Sequence, residues 1–226
     1  MKTLVRSKHP KSRSPERAHG RARQRGQSLV ELALFLPVFL ILIVGVAEMG
    51  FYLNHYINLL DATREGARFG ADLDPMAGNY NPAFNHNSGS YSSGATYSCD
   101  TTQEFYTVVA CYTEENMSEQ FDPANGYDDI VISAFTVKDG AVLYRFPQDS
   151  AEKGFSYEGN QVSRFSNADV NNLVGSYTPK QGFLIVEIFW QHRQALALPI
   201  YTVFVPADIP MHIYTLMPNA TAGTAE

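Results

Sequence analysis

Apolar residues are gathered in one unbroken block near the start of the chain and in short runs toward its end, with polar, aperiodic stretches between. Residues 32–47 read Leu-Ala-Leu-Phe-Leu-Pro-Val-Phe-Leu-Ile-Leu-Ile-Val-Gly-Val-Ala without a charge. Leu29, Val30, Met49, Phe51, Tyr52 and Leu53 extend the run past Glu31 and Glu48. About 20 apolar residues cross a hydrocarbon core, so the block predicts a membrane span. Ser28 supplies a helix start signal, and the helical pattern then runs to Ala71 with a single proline, Pro37. At 1.5 Å per residue such a helix measures roughly 65 Å, about twice the hydrocarbon core. It must therefore continue well outside the bilayer.

Beyond the helix the pattern changes. Residues 72–98 combine Asp, Pro, Asn, Gly, Ser and Tyr without periodicity and predict a loop. Phe105, Val108, Val109 and Tyr112 recur at helical spacing, which predicts a short helix from Thr101 or Thr102 to Met117. Residues 129–137 alternate as a strand, Lys138-Asp139-Gly140 turns, and residues 141–146 return, a hairpin pattern. A short helix is expected after Asn167, and strands over 182–192 and 209–217. The fold class is therefore α+β, with a long N-terminal transmembrane α-helix followed by a small domain built on an antiparallel sheet.

Charge orients the span. Residues 1–26 hold nine of the 17 Lys and Arg and only Glu16 as an acid, which leaves eight basic and 22 acidic residues, a net of −14, in 27–226. By the positive-inside rule the basic arm is cytoplasmic and the acidic part lies outside. The arm is polar, contains Pro and Ser, and is expected to be disordered. It lacks the interleaved aromatics of a single-strand binder, so no nucleic-acid partner is expected. The apolar run exceeds the length of a cleavable signal, and Glu48-Met49-Gly50-Phe51-Tyr52 offers no small-x-small site, so the helix is expected to be retained. Cys99 and Cys111 are the only cysteines and both fall in the exported part. In an oxidising compartment they would close a loop worth about 3 kcal/mol.

Arg25-Gly26-Gln27-Ser28-Leu29-Val30-Glu31 joins the basic arm to the span. It resembles the type IV prepilin junction, which a membrane aspartic peptidase cuts after Gly, leaving Glu as the fifth mature residue. The resemblance makes Gly26 and Gln27 the cleavage site and Glu31 that fifth residue. A wider stretch, 24–71, resembles the TadE-like family of the tight-adherence (Flp) pilus systems. It is carried by residues 25–38, by Gly45-Val46-Ala47-Glu48-Met49-Gly50 and by Ala62-Thr63-Arg64-Glu65-Gly66-Ala67-Arg68. Leu32 follows Glu31 where the major pilins of these systems carry Tyr or Phe. The resemblance implies a minor pseudopilin with a pilin-like domain, anchored in the inner membrane. Its implied partners are the lipid bilayer, a prepilin peptidase and other pilin or pseudopilin subunits. Three regions are then expected: a basic leader over 1–26, a transmembrane and projecting helix over 27–71, and an extracytoplasmic domain over 72–226.

The polar groups of the helix have definable tasks. A carboxylate near lipid is costly unless paired. If cleavage freed the Gln27 amine, a neighbouring subunit's ammonium could pair with Glu31 and set the axial register. Alternatively Glu31 lies at the cytoplasmic interface among the arginines. Glu48 is expected at the outer interface rather than in a packing contact. Ala62, Gly66 and Gly70 lie four apart on one face. A helix that accepts two glycines at about 1 kcal/mol each is packed against something, either another subunit or its own domain. No nucleophile elbow, phosphate loop or zinc motif is present. His192 is expected at a strand surface or edge. The acidic turns at Asp72–Asp74 and at Asp122, Asn125, Asp128 and Asp129 read as solvated, with calcium as the alternative. No enzyme activity, cofactor or metal is expected. The competing reading is a membrane-anchored extracytoplasmic binding or adhesion domain outside any pilus.

Overall fold

The computed structural model describes residues 21–76, 105–147, 152–175, 179–196 and 205–224, with the backbone alone for 21–27. Helix α1, Arg21–Ala71, holds Pro37 inside it. It begins seven residues before the Ser28 start signal, because Arg, Ala and Gln are strong helix formers and only Gly26 interrupts them. The expected disorder of the basic arm therefore fails for 21–25, and the expected loop over 77–98 lies outside the described residues. The chain divides into two compact units, residues 1–45 and 46–226.

In the first unit the described side chains are mostly apolar and exposed, with Ser28 and Glu31 the polar exceptions and Val44 half-buried. Leu34 is 69% and Phe35 65% accessible, and Leu29, Leu32, Val38, Phe39, Leu40, Leu42 and Ile43 are exposed too. Such a continuous apolar surface exceeds what a chain surrounded by water tolerates. Among the described residues one helix, Ser28–Ala71, is long and apolar enough to cross a membrane.

The second unit begins with the remainder of α1 and is an α+β domain. Helix α2 spans Phe105–Glu115 and α3 Asn167–Val174. Strands β1 Asp129–Lys138, β2 Ala141–Phe146, β3 Phe155–Ser156, β4 Gln181–Arg193 and β5 Asp208–Pro218 form a wholly antiparallel sheet in the order β2-β1-β4-β5. The two-residue β3 pairs with β1 at Val131 and Ile132. The expected hairpin and both long strands are present. β3 is too short to leave a pattern in the sequence.

Both faces of the sheet are covered. Ile130, Ile132 and Ala134 of β1, Leu184, Val186, Ile188 and Trp190 of β4, and Met211 and Ile213 of β5 pack with Leu59, Ala62 and Ala67 of α1 and with Val109 and Ala110 of α2. On the other face Phe135, Val137 and Ile185 pack with Val170 of α3. Asp129–Val137 is consequently buried at every position. The alternation expected there distinguishes two covered faces and not core from water. α3 starts at a reciprocal capping box, in which the Ser166 side chain accepts from the Asp169 N–H and Asp169 accepts from the Ser166 N–H.

Candidate functional site

The C-terminal part of α1, from Val46 on, belongs to the second unit, and the sheet packs against it. Ala62, Gly66 and Gly70 face inward. A Cβ on Gly66 would overlap the Thr113 hydroxyl of α2. That hydroxyl is fully buried and donates to the Val109 carbonyl at 2.7 Å. A Cβ on Gly70 would come within 2.6 Å of Leu184 Cδ2 and 3.0 Å of Val109 Cγ2. The small-residue row thus seats α1 on its own domain, where the sequence left another subunit equally open. Thr63 accepts from the Thr215 hydroxyl of β5 at 3.1 Å.

The C-terminal end of α1 is closed by the tail of the chain. Asn219 is fully buried, and its Nδ2 donates to the Gly70 and Leu73 carbonyls at 2.9 Å each. Thr221 donates to Leu73 as well, at 2.9 Å. Carbonyls that every helix leaves unpaired at its end are satisfied in this way. Asn219 opens an Asn-Ala-Thr glycosylation sequon in the sequence, but its amide is wholly committed to these bonds and to accepting from the Ala222 N–H at 2.7 Å.

A polar cluster lies nearer the apolar end of the domain's helix segment. Glu48 is 4% accessible and accepts from the backbone N–H of Leu196 at 2.5 Å and of Ala195 at 3.2 Å. This corrects the expectation that Glu48 makes no packing contact. It clamps the end of β4, a contact that sequence separation hides. His55 Nδ1 lies 2.6 Å from a Glu119 oxygen, whose partner oxygen accepts from Asn58 at 3.1 Å. Trp190 Nε1 donates to the Gln120 carbonyl at 3.2 Å, so residues 119–120 are held by helix and sheet together.

His192 is 1% accessible, not at an edge, because β5 pairs with β4 from Phe183 to Arg193 and the His192 ring packs against α1. Its ring lies 5.5 Å from that of Tyr52 and 5.2 Å from that of His55. Burial, then the neighbouring His55, push its pKa below the ordinary histidine value, against the opposing pull of Glu48 and Glu119.

The acidic turns are structural acceptors. Both oxygens of Asp128 accept backbone N–H bonds, from Asp122 at 3.1 Å and Gln191 at 2.9 Å. Buried Asp129 accepts from the Ser156 hydroxyl at 2.5 Å and from the N–H groups of Ile130, Glu158, Asn160 and Gln161 at 2.7–2.9 Å. Burial raises the Asp129 carboxyl, opposed in part by Ser156 and the amides of Glu158, Gln161 and Ile130. Among the described residues no group of His, Cys, Asp and Glu could hold a metal ion. On the α3 face an open pocket of about 430 Å³ is lined by Phe165, His212 and Tyr214 rings with Arg164, Asp169 and Asn172.

The other expected site residues are placed as follows. Gly26 and Gln27 lie within α1, and Glu31 is exposed on it. Cys111 is buried in α2 and disulfide-bonded, while Cys99 lies outside the described residues.

These features define a class: an α+β protein whose long N-terminal helix is bare and apolar in its first half and packed into an antiparallel sheet domain in its second. Residues 26–68 match the family described as TadE-like protein. The N-terminal helix is a TadE-like segment, and its matched range takes in the Gly26 junction, the apolar run and the Ala62–Gly66 seat. No curated protein and no solved structure matches the chain.

Proposed function

We propose that the chain is a membrane-anchored pseudopilin that acts in assembly of an adhesive Tad/Flp pilus. The observation that carries this reading is the TadE-like segment itself, a helix whose exposed apolar half is long enough to span a bilayer. In this reading residues 1–26 are a cytoplasmic leader, 27–71 the transmembrane and projecting helix, and 72–226 an extracytoplasmic domain. The surrounding membrane is the inner membrane. The disulfide at Cys111, with Cys99 as the other half, supports export to an oxidising compartment.

A prepilin peptidase cuts between Gly26 and Gln27. The bond lies inside α1, and Gly26 weakens the helix there by about 1 kcal/mol, which favours the local unwinding that cleavage needs. The freed Gln27 ammonium of one subunit then pairs with Glu31 of the next and fixes their axial register. Mass spectrometry of membrane-extracted protein from cells that contain the peptidase tests this. The expected chain starts at Gln27, and Gly26→Arg abolishes that product. A mature start near residue 50 would overturn the reading.

A second reading, an anchored binding or adhesion domain outside any pilus, draws on the ring-lined pocket between α3 and β5. Deleting the gene separates the two. Loss of surface pili with the pocket variant Tyr214→Ala still able to restore them favours the pseudopilin, whereas unchanged piliation favours the second.

A further inference from the structure

We propose that the sheet domain makes its own contact with lipid: the β4–β5 end of the sheet, at Leu196 and Val205, rests in the bilayer interface and Glu48 holds it there. The inference rests on the reading of residues 29–47 as a membrane span.

Three observations lead to it. First, β4 runs along α1 from Gly70 to Glu48. Leu184 lies beside Gly70, the Trp190 ring is 5.1 Å from that of His55, the His192 ring 5.5 Å from that of Tyr52, and Leu196 N–H bonds to Glu48. Glu48 is the first residue after the uncharged stretch 32–47. Leu196 therefore sits at the depth where the span ends.

Second, the returning strand is tied to the same place. Gln194 N–H donates to the Ala207 carbonyl at 3.1 Å, and its Nε2 donates to the carbonyls of Val205 at 3.2 Å and Pro206 at 2.8 Å. Both ends of the connection are fixed at one level. Backbone N–H groups given to Glu48 also answer the cost of a carboxylate beside lipid.

Third, this level is apolar. Leu196 is 44% accessible, and Met49, Phe51 and Leu53 of α1 are exposed. In the sequence no charge occurs from Gln194 to Ala207, although residues 197–204 lie outside the described part. Exposed leucine and aromatic groups directly beyond a span match the interfacial belt of a bilayer. A second protein could cover the same surface, but it would have to displace the lipid that the adjoining helix already requires.

The test uses the full chain in vesicles, with single cysteines at Leu40, Leu196 and Leu143. Each carries an environment-sensitive fluorophore quenched by brominated acyl chains or by aqueous iodide. Labelling is site-specific because among the described residues no cysteine is free, Cys111 being disulfide-bonded. Leu40→Cys reports the core of the span, and Leu143→Cys an exposed position on β2. The expected result is strong lipid quenching at 40, lipid quenching at 196 several-fold above that at 143, and the reverse order with iodide. Val205→Cys repeats the reading should Leu196→Cys fail to fold. Quenching at 40 with 196 behaving like 143, or shielded from both quenchers by a partner, overturns the lipid contact alone. Absence of lipid quenching at 40 overturns the membrane span and the contact with it.

Discussion

Gly50, Gly66 and Gly70 belong to one helix and have opposite reasons for being glycine. Nothing lies within 4 Å of where a Gly50 Cβ would stand, whereas a Gly66 Cβ would overlap Thr113. Helix propensity favours Ala over Gly by about 1 kcal/mol at either site, and overpacking a tight core costs about 1–3 kcal/mol. Gly50→Ala is therefore expected to stabilise the domain slightly, and Gly66→Ala to destabilise it by up to about 2 kcal/mol. Denaturant unfolding in micelles checks both, and equal effects would show that packing at Thr113 is unimportant. Asn219→Leu removes the amide that satisfies Gly70 and Leu73 and leaves buried carbonyls without partners. A loss of about 2–3 kcal/mol is expected in the same assay. Gly66, Asn219 and Glu48 differ in how far the sequence alone exposes them. The glycine row announces a close approach to something, whereas Asn219 and Glu48 act on residues roughly 150 positions away and carry no local mark.

At the scale of elements, the junction of α1 with β4 holds the pH-sensitive group. His192 is held neutral by burial and by His55. Its folded pKa is depressed, so the unfolded chain takes up the proton first as pH falls. Stability from this group is present above the ordinary histidine value of 6.5 and is lost as pH drops through it toward the lower folded value. The melting temperature is thus expected to fall between neutral and mildly acidic pH, and His192→Gln to flatten that fall. A parallel pH profile in the variant would assign the loss elsewhere. Glu114, beside the β1–β3 edge, works with the opposite sign. Burial and then Glu115 raise its carboxyl, so its contribution is full below the ordinary glutamate value of 4.5 and is lost as pH rises through the raised one. Glu114→Gln should lessen a loss of stability on that upper limb. Strands β1, β4 and β5 were legible from their apolar runs, and α3 from the signal at Asn167. β3 was not, because two residues define no period.

On the scale of the whole molecule, residues 27–226 carry a net charge of −14 and residues 1–26 hold nine cations, an asymmetry that the positive-inside rule converts into an expected orientation. The orientation in the proposed function can be read from a reporter. Fused after residue 226, an export-dependent enzyme is expected to be active and a cytosol-dependent one silent. The reverse result would place the sheet domain inside and remove the pilus reading. The disulfide gives an independent check. Non-reducing peptide mapping is expected to recover Cys99 and Cys111 in one linked fragment, and Cys111→Ser to lower stability by about 3 kcal/mol.

Local chemistry decided the long helix, its apolar half, the direction of its charge and the strands of the sheet. Each of these follows from neighbours in sequence, through hydropathy over a bilayer thickness or through side chains repeating at a helical or strand period. What the helix packs on, which carboxylates are spent on backbone amides, and why His192 is buried were settled only by folding. Asp128, Asp129 and Glu48 look alike in the sequence as acids that could face water. The amides that claim them come from residues that only the folded sheet brings near, and a burial that depends on distant partners leaves no period to read.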